Sequence, residues 1–316
     1  MTSSYLISSI NFKRLIHSEH ICYFLDYRPP LINSHQDRKG FSSWPRAHRH
    51  FVPGHIWHIT HRCHNKRFLL ERAEDRQEWL FWLEKAKKRF DLPVLGYAVT
   101  CNHIHLLVQD PGKFKAIAKS MQLMQGQFAQ NYNQKMRRES AFWGDRYHAT
   151  AVESGTHLLR CIAYINLNMV RAGAVADPAD WHECGYREIQ MDRPRRQIID
   201  RGLLANLVGA SDIVQLRRIF RDTMADSLIN GKNGRDSRWT ESLAIGSQQF
   251  VNAFSESLGK RSRGKHIVSA QNKNDSAEAE PYVLREPPEL SYGKHCWGTQ
   301  FLPGENTVLW DKKITA

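Results

Sequence analysis

Between Thr100 and Gln109 the chain alternates: His103 and His105 fall on one parity, Ile104, Leu106 and Val108 on the other. Side chains at i and i+2 of a strand point the same way. The aliphatic set can therefore be buried together only if the two imidazoles share the opposite face. This segment constrains the fold most, because it demands a sheet covered on its aliphatic side. Two readings of the paired imidazoles follow from the residues: a buried strand that carries histidines, or two ligands presented to a metal.

The flanking segments extend this pattern. Residues 55–62 alternate apolar and polar and read as a strand. Glu74–Phe90 reads as a helix with Trp79, Leu83, Ala86 and Phe90 on one face, acids at its start and bases at its end. Residues 94–99 form a second strand, and Cys101-Asn102 a turn into the third. After Gly112, Phe114, Ile117, Met121, Met124 and Phe128 recur at helical spacing and read as core packing. Residues 148–153 form a short strand, and 156–173 a helix closed by Gly173. The order β-α-β-β-α-β-α predicts the α+β class: a ferredoxin-like, split βαβ arrangement with a mostly antiparallel sheet. The expected organisation is an irregular tail at 1–45, which a start placed upstream could add as a leader, then a domain at 46–190. A helical extension at 191–265 and a largely disordered tail at 266–316 complete it.

Composition narrows the partners. The formal net charge is +13, which suits a phosphate backbone better than a small neutral substrate. The six cysteines, Cys22, Cys63, Cys101, Cys161, Cys184 and Cys296, are scattered with no CxxC pair; this fits a reducing compartment and argues against a zinc ribbon. No apolar run approaches the roughly 20 residues of a membrane span. A cytoplasmic protein with no membrane partner is expected.

The last helix carries two stripes. Leu158, Ile162, Ile165 and Met169 are apolar and suit packing on the sheet; Arg160, Tyr164, Asn168 and Arg171 present a phenol, a carboxamide and two guanidiniums. His103-x-His105 followed by Tyr164-x-x-x-Asn168 and Val-Arg-Ala-Gly at 170–173 resembles the HUH-type single-tyrosine transposases, most closely their REP-associated branch. Residues 55–62, 143–147 and 151–153 support the resemblance, which covers about residues 46–190. Met169 departs from it, since relatives usually have proline there; the methionine lets the helix continue.

The resemblance implies a DNA transposase or nicking-joining enzyme acting on single-stranded, hairpin-containing DNA of a repeat element. His103 and His105 would be metal ligands, with Asn168 in the place of a third, and Tyr164 the nucleophile. Imidazole and oxygen donors with open positions suit Mg²⁺ or Mn²⁺. A free phenol is a poor nucleophile at neutral pH, and a nearby dication with Arg160 or Arg171 would activate it. Attack would leave a 5′-phosphotyrosine and a free 3′-OH, keeping the phosphodiester energy for rejoining without ATP. Residues 259–265 resemble a P-loop but lack its Ser/Thr and any clear preceding strand. Trp143, Arg146 and Tyr147 are candidate DNA contacts, since aromatic rings beside a guanidinium suit unstacked bases; Trp143 equally suits closing the core edge. His55, His58 and His61 read as structural or DNA-facing, and Cys101 as an alternative zinc ligand. Relatives work as monomers or homodimers. Two other readings stand beside the transposase: a non-catalytic hairpin-binding regulator, and a metal phosphohydrolase using water, for which Asp110 and Asp145 form no recognisable cluster.

Overall fold

The computed structural model describes residues 51–229, 236–262, 264–269 and 281–286. The tail expected at 1–45, residues 270–280 and residues 287–316 lie outside the described residues, as do Cys22 and Cys296. Sixteen elements follow in chain order: β1 (Ile56–Arg62), α1 (Ala73–Phe90), β2 (Val94–Val99), β3 (His103–Gln109), α2 (Ala116–Lys135), β4 (His148–Val152), α3 (Thr156–Asn166) and α4 (Asn168–Arg171). Then come α5 (Gly185–Gln190), α6 (Arg201–Val208), α7 (Ile213–Ile229), α8 (Arg238–Glu241), β5 (Ala244–Gly246), α9 (Gln248–Ser257), β6 (His266–Ser269) and β7 (Tyr282–Arg285).

The first four strands lie in the order β2-β3-β1-β4, every neighbouring pair antiparallel. With α1 and α2 as the two crossovers this is the split βαβ arrangement of an α+β protein. The sheet continues past β4: β5 joins it in parallel, and β7 and β6 follow antiparallel. The segment expected to be helical at 191–265 therefore carries α6, α7 and α9 and also β5, while β6 and β7 fall inside the stretch expected to be a tail.

Register divides the sheet into two faces. Thr60 lies opposite both His105 and His148, and His58 opposite Thr150, so these five side chains share one face. His61 lies opposite Ile104 and belongs to the other. Ile104, Leu106 and Val108 are fully buried there, which supplies the aliphatic cover that β3 requires. Trp79, Leu80, Leu83 and Ala86 of α1 and Ile117, Met121, Met124 and Phe128 of α2 are buried, and the two helices pack on each other. Phe114 does not join that stripe. The chain passes Lys115 in the left-handed region at φ 55°, the helix starts at Ala116, and Phe114 stays exposed.

The helix expected to run unbroken over 156–173 is interrupted at Leu167 (φ −82°, ψ 5°). Leu167 turns into a small cluster with Ala163 and Met224 of α7. The interruption is mild, because the amides of Leu167 and Arg171 still bond the carbonyls of Ala163 and Leu167. The phase of the stripe survives, and Leu158, Ile162, Ile165 and Met169 are all buried. Gly173, at φ 68°, ends the segment; Ala174 N then reaches back to Met169 O at 3.0 Å, the bond pattern that a left-handed glycine permits.

Candidate active site

Three elements meet over the His105 face. β3 contributes His103 and the fully buried His105, β1 contributes His58, also fully buried, and the α3–α4 segment contributes Tyr164 and Asn168. The Tyr164 ring centroid lies 5.8 Å from that of His105 and 6.2 Å from that of His58, both edge-on. The His103 and His105 rings are 4.8 Å apart.

Hydrogen bonds orient these rings. His58 Nδ1 lies 2.9 Å from the carbonyl oxygen of Trp239, and His58 Nε2 lies 2.9 Å from His105 Nδ1. His105 Nε2 in turn lies 2.9 Å from Asn168 Nδ2. His103 Nδ1 lies 2.6 Å from Asn102 Oδ1 and 2.9 Å from Thr100 Oγ1, whose own hydroxyl donates to His103 O at 2.8 Å. Asn102 Oδ1 can only accept, so His103 donates from Nδ1.

Burial dominates the electrostatics. It pushes the His58 pKa down to about 3, against the pull of the Trp239 carbonyl and with help from the charge of His148. Burial also holds His105 well below the usual imidazole range, assisted by His103, His58, Arg171 and Arg62. Both rings are therefore neutral at neutral pH, and a neutral imidazole is the form that ligates a metal.

Arg171 completes the group. Its guanidinium sits 4.3 Å from the Tyr164 ring centroid, a cation–π distance, and Nη2 donates to the Tyr164 carbonyl at 2.6 Å. Burial lowers its pKa, opposed by Tyr164 and Asp236. The phenol also meets the buried Trp239, 6.2 Å away between centroids.

The structure brings His103, His105, Tyr164, Asn168 and Arg171 together. Arg160 is half-buried one turn before Tyr164. Trp143 and Tyr147 are placed elsewhere. Trp143 stacks on His61 at 4.4 Å, on the opposite face of the sheet, and donates from Nε1 to Gln125 O of α2 at 3.1 Å. Tyr147 stacks on Phe51 and meets His61 edge-on. Arg146 is exposed nearby, its amide donating to the Asp145 carboxylate. Cys101 is buried, and among the described residues no three His, Cys, Asp or Glu side chains gather as a metal set, so it makes no zinc site with the histidines. Residues 259–262 form a short 3₁₀ turn after α9 rather than a strand-to-helix phosphate loop.

Two participants escaped the sequence reading. His58 had a signal: it shares parity with Thr60, which pairs with His105 once β1 is laid antiparallel to β3. Trp239 lies some 75 residues beyond Tyr164, and nothing local to it indicates that its carbonyl returns to the sheet.

The donor set fits a divalent cation: His103 held at Nδ1 by Asn102, the buried His105 with Nε2 facing Asn168, and the Asn168 carboxamide, which presents oxygen when turned by half a rotation. A family model described as IS200-like transposase matches residues 51–168. Among solved structures, a REP-associated tyrosine transposase bound to a REP hairpin is 19% identical, with a TM-score of 0.41 over 49% of this chain and 90% of that one. A candidate transposase from Deinococcus radiodurans R1 is 14% identical, with a TM-score of 0.26 over 33% and 83%. No curated protein matches the chain. Among the described residues no helix is long and apolar enough to cross a membrane.

Proposed function

We propose, from the match of residues 51–168 to the model of the IS200-like transposase family, that this chain cuts and rejoins single-stranded DNA through Tyr164. The observation that carries the reading is the convergence of that phenol with the His103–His105–Asn168 donor set on one face of the sheet. The net charge of +13 supports a nucleic-acid partner, and a hairpin of a repeat element is the substrate class we propose.

His103, His105 and Asn168 would hold Mg²⁺ or Mn²⁺, which supplies Lewis-acid stabilisation of the charge growing on the scissile phosphate. Tyr164 Oη attacks the phosphorus and loses its proton. The bond from phosphorus to O3′ breaks, and O3′ takes up a proton. The products are a 5′-phosphotyrosine and a free 3′-OH, whose return attack rejoins a strand. Arg171, over the Tyr164 ring, stabilises negative charge on the phenolic oxygen and fixes the backbone at the nucleophile. His58 cannot serve as the general base, since both of its nitrogens are engaged with Trp239 and His105.

A labelled hairpin with a 5′ flank, incubated with the protein in Mn²⁺ and run on a denaturing protein gel, tests this. The expected result is a protein-linked band that disappears in EDTA, in Tyr164→Phe and in His103→Ala. Cleaved DNA with no linked band would show that water is the nucleophile. Binding without cleavage, for every hairpin tried, would leave a DNA-binding regulator.

A further inference from the structure

We infer that the C-terminal extension sets the proton position on His105 through His58, and that His58 is a positioning residue for the ligand. This deepens the proposed metal role of His105 and rests on it.

The argument is directional. A backbone carbonyl accepts hydrogen bonds and never donates. At 2.9 Å from Trp239 O, His58 must therefore carry its proton on Nδ1. A neutral imidazole has one N–H, so His58 Nε2 presents a lone pair. The bond of 2.9 Å between that atom and His105 Nδ1 then needs its proton on His105. The two ring planes differ by only 12° with centroids 5.1 Å apart, a geometry compatible with an N–H···N bond in the ring planes. His105 Nε2 is left as an acceptor, and Asn168 donates to it at 2.9 Å. The other tautomer of His105 would set two lone pairs against each other in a fully buried place.

The terminus of this relay belongs to the extension and is held firmly. Thr150 Oγ1 lies 3.2 Å from Trp239 O and 2.7 Å from Ser242 O, and His148 Nε2 donates to Ser242 O at 2.8 Å. β5 then pairs with β4, and Ser247 donates to the Glu153 carboxylate from both its amide and its hydroxyl. The extension thus reaches the metal-ligand face through the same strand that borders it.

The test begins on the full-length, metal-free protein with ¹⁵N-labelled histidine. Long-range ¹H–¹⁵N correlation reports which nitrogen of each ring is protonated, and His105→Gln assigns the signal. His105 is expected to carry its proton on Nδ1 in the wild type. It should keep it there in His58→Gln, whose amide can accept from His105 and donate to Trp239. In His58→Phe it should divide between the two nitrogens. Mn²⁺ affinity, read by the free-ion EPR signal, should fall about 10- to 100-fold in His58→Phe, the usual effect of removing a ligand's hydrogen-bond partner, and recover in His58→Gln. A wild-type His105 protonated on Nε2 overturns the inference outright, and needs no variant to fold. A His58→Phe signal unchanged from wild type overturns it too. An Nδ1 proton that His58→Phe displaces, in a protein that binds no Mn²⁺ and forms no DNA adduct, upholds the relay and removes the proposed function instead.

Discussion

Acid should destabilise this protein through His58, and the size of the effect follows from its burial. The ring is pushed from 6.5 down to about 3 in the folded chain. Below pH 6.5 the unfolded chain takes up a proton that the folded chain refuses, so stability falls as pH falls, from about 6.5 until the folded ring itself titrates near 3. At pH 5 the gap is about 1.5 pH units, and at about 1.36 kcal/mol per unit His58 alone removes roughly 2 kcal/mol relative to neutral pH. His105 shifts in the same direction and adds to the slope. The assay is urea unfolding of metal-free protein in EDTA at pH 7 and pH 5, for wild type and His58→Gln. The glutamine does not titrate and can keep both hydrogen bonds. The variant should lose about 2 kcal/mol less than wild type over this interval, while the contribution of His105 remains in both. Parallel losses in the two proteins would refute the assignment of His58 as a buried, neutral ring.

Three further outcomes follow from the geometry. Arg171→Gln removes a charge 4.3 Å from the Tyr164 ring, where two unit charges interact by about 4 kcal/mol at an effective dielectric constant of 20. After solvent screening, adduct formation at saturating DNA should slow by about 100-fold, measured by single-turnover band formation; a rate within threefold of wild type would argue against its electrostatic role. Trp143→Ala opens a hole beside His61, Phe142 and Phe128 and should cost about 3 kcal/mol in urea unfolding, with hairpin affinity of the folded protein nearly unchanged by fluorescence anisotropy. Lost affinity at unchanged stability would instead make it a DNA contact. Gly246→Ala places a methyl group 2.6 Å from Phe250 Cδ1 and 2.7 Å from Glu153 Cβ; it should lower stability by about 1–3 kcal/mol, and an unchanged unfolding midpoint would show that β5 yields without cost.

The split βαβ core was legible because each of its elements is long enough to show a period. Residues 103–108 display three aliphatic positions on one parity, and α1 and α2 several turns of a buried stripe. β5, β6 and β7 have only three or four residues each, too few for alternation to stand out, and β5 pairs with β4, some 90 residues before it. Phe114 misled because helical spacing extends backwards on paper through Lys115, whose left-handed backbone the sequence does not announce. Parity paired His103 with His105 and the helical stripe paired Tyr164 with Asn168, while the family resemblance joined the two pairs. His58, the partner of His105, carried a signal only through the pairing of β1 with β3, which brings Thr60 opposite His105. Trp239 contributes a backbone carbonyl, a group every residue has and no side-chain pattern marks.

The nature of the groups behind the two histidines bears on the metal they would hold. A carboxylate behind a ligand imidazole increases its basicity and tightens its hold on a metal. Here the acceptors are neutral: Asn102 Oδ1 and Thr100 Oγ1 behind His103, and a second imidazole ending on a carbonyl behind His105. Neutral acceptors fix each tautomer without adding negative charge, so a bound dication would keep more of its own charge for the phosphate and be held less firmly. That combination suits an exchangeable Mg²⁺ or Mn²⁺ completed by substrate oxygens better than a permanent zinc centre. Brief dialysis against EDTA should therefore abolish DNA adduct formation, and added Mn²⁺ should restore it within the mixing time. A metal that survives dialysis and is identified as zinc by elemental analysis would contradict this reading of the neutral acceptors.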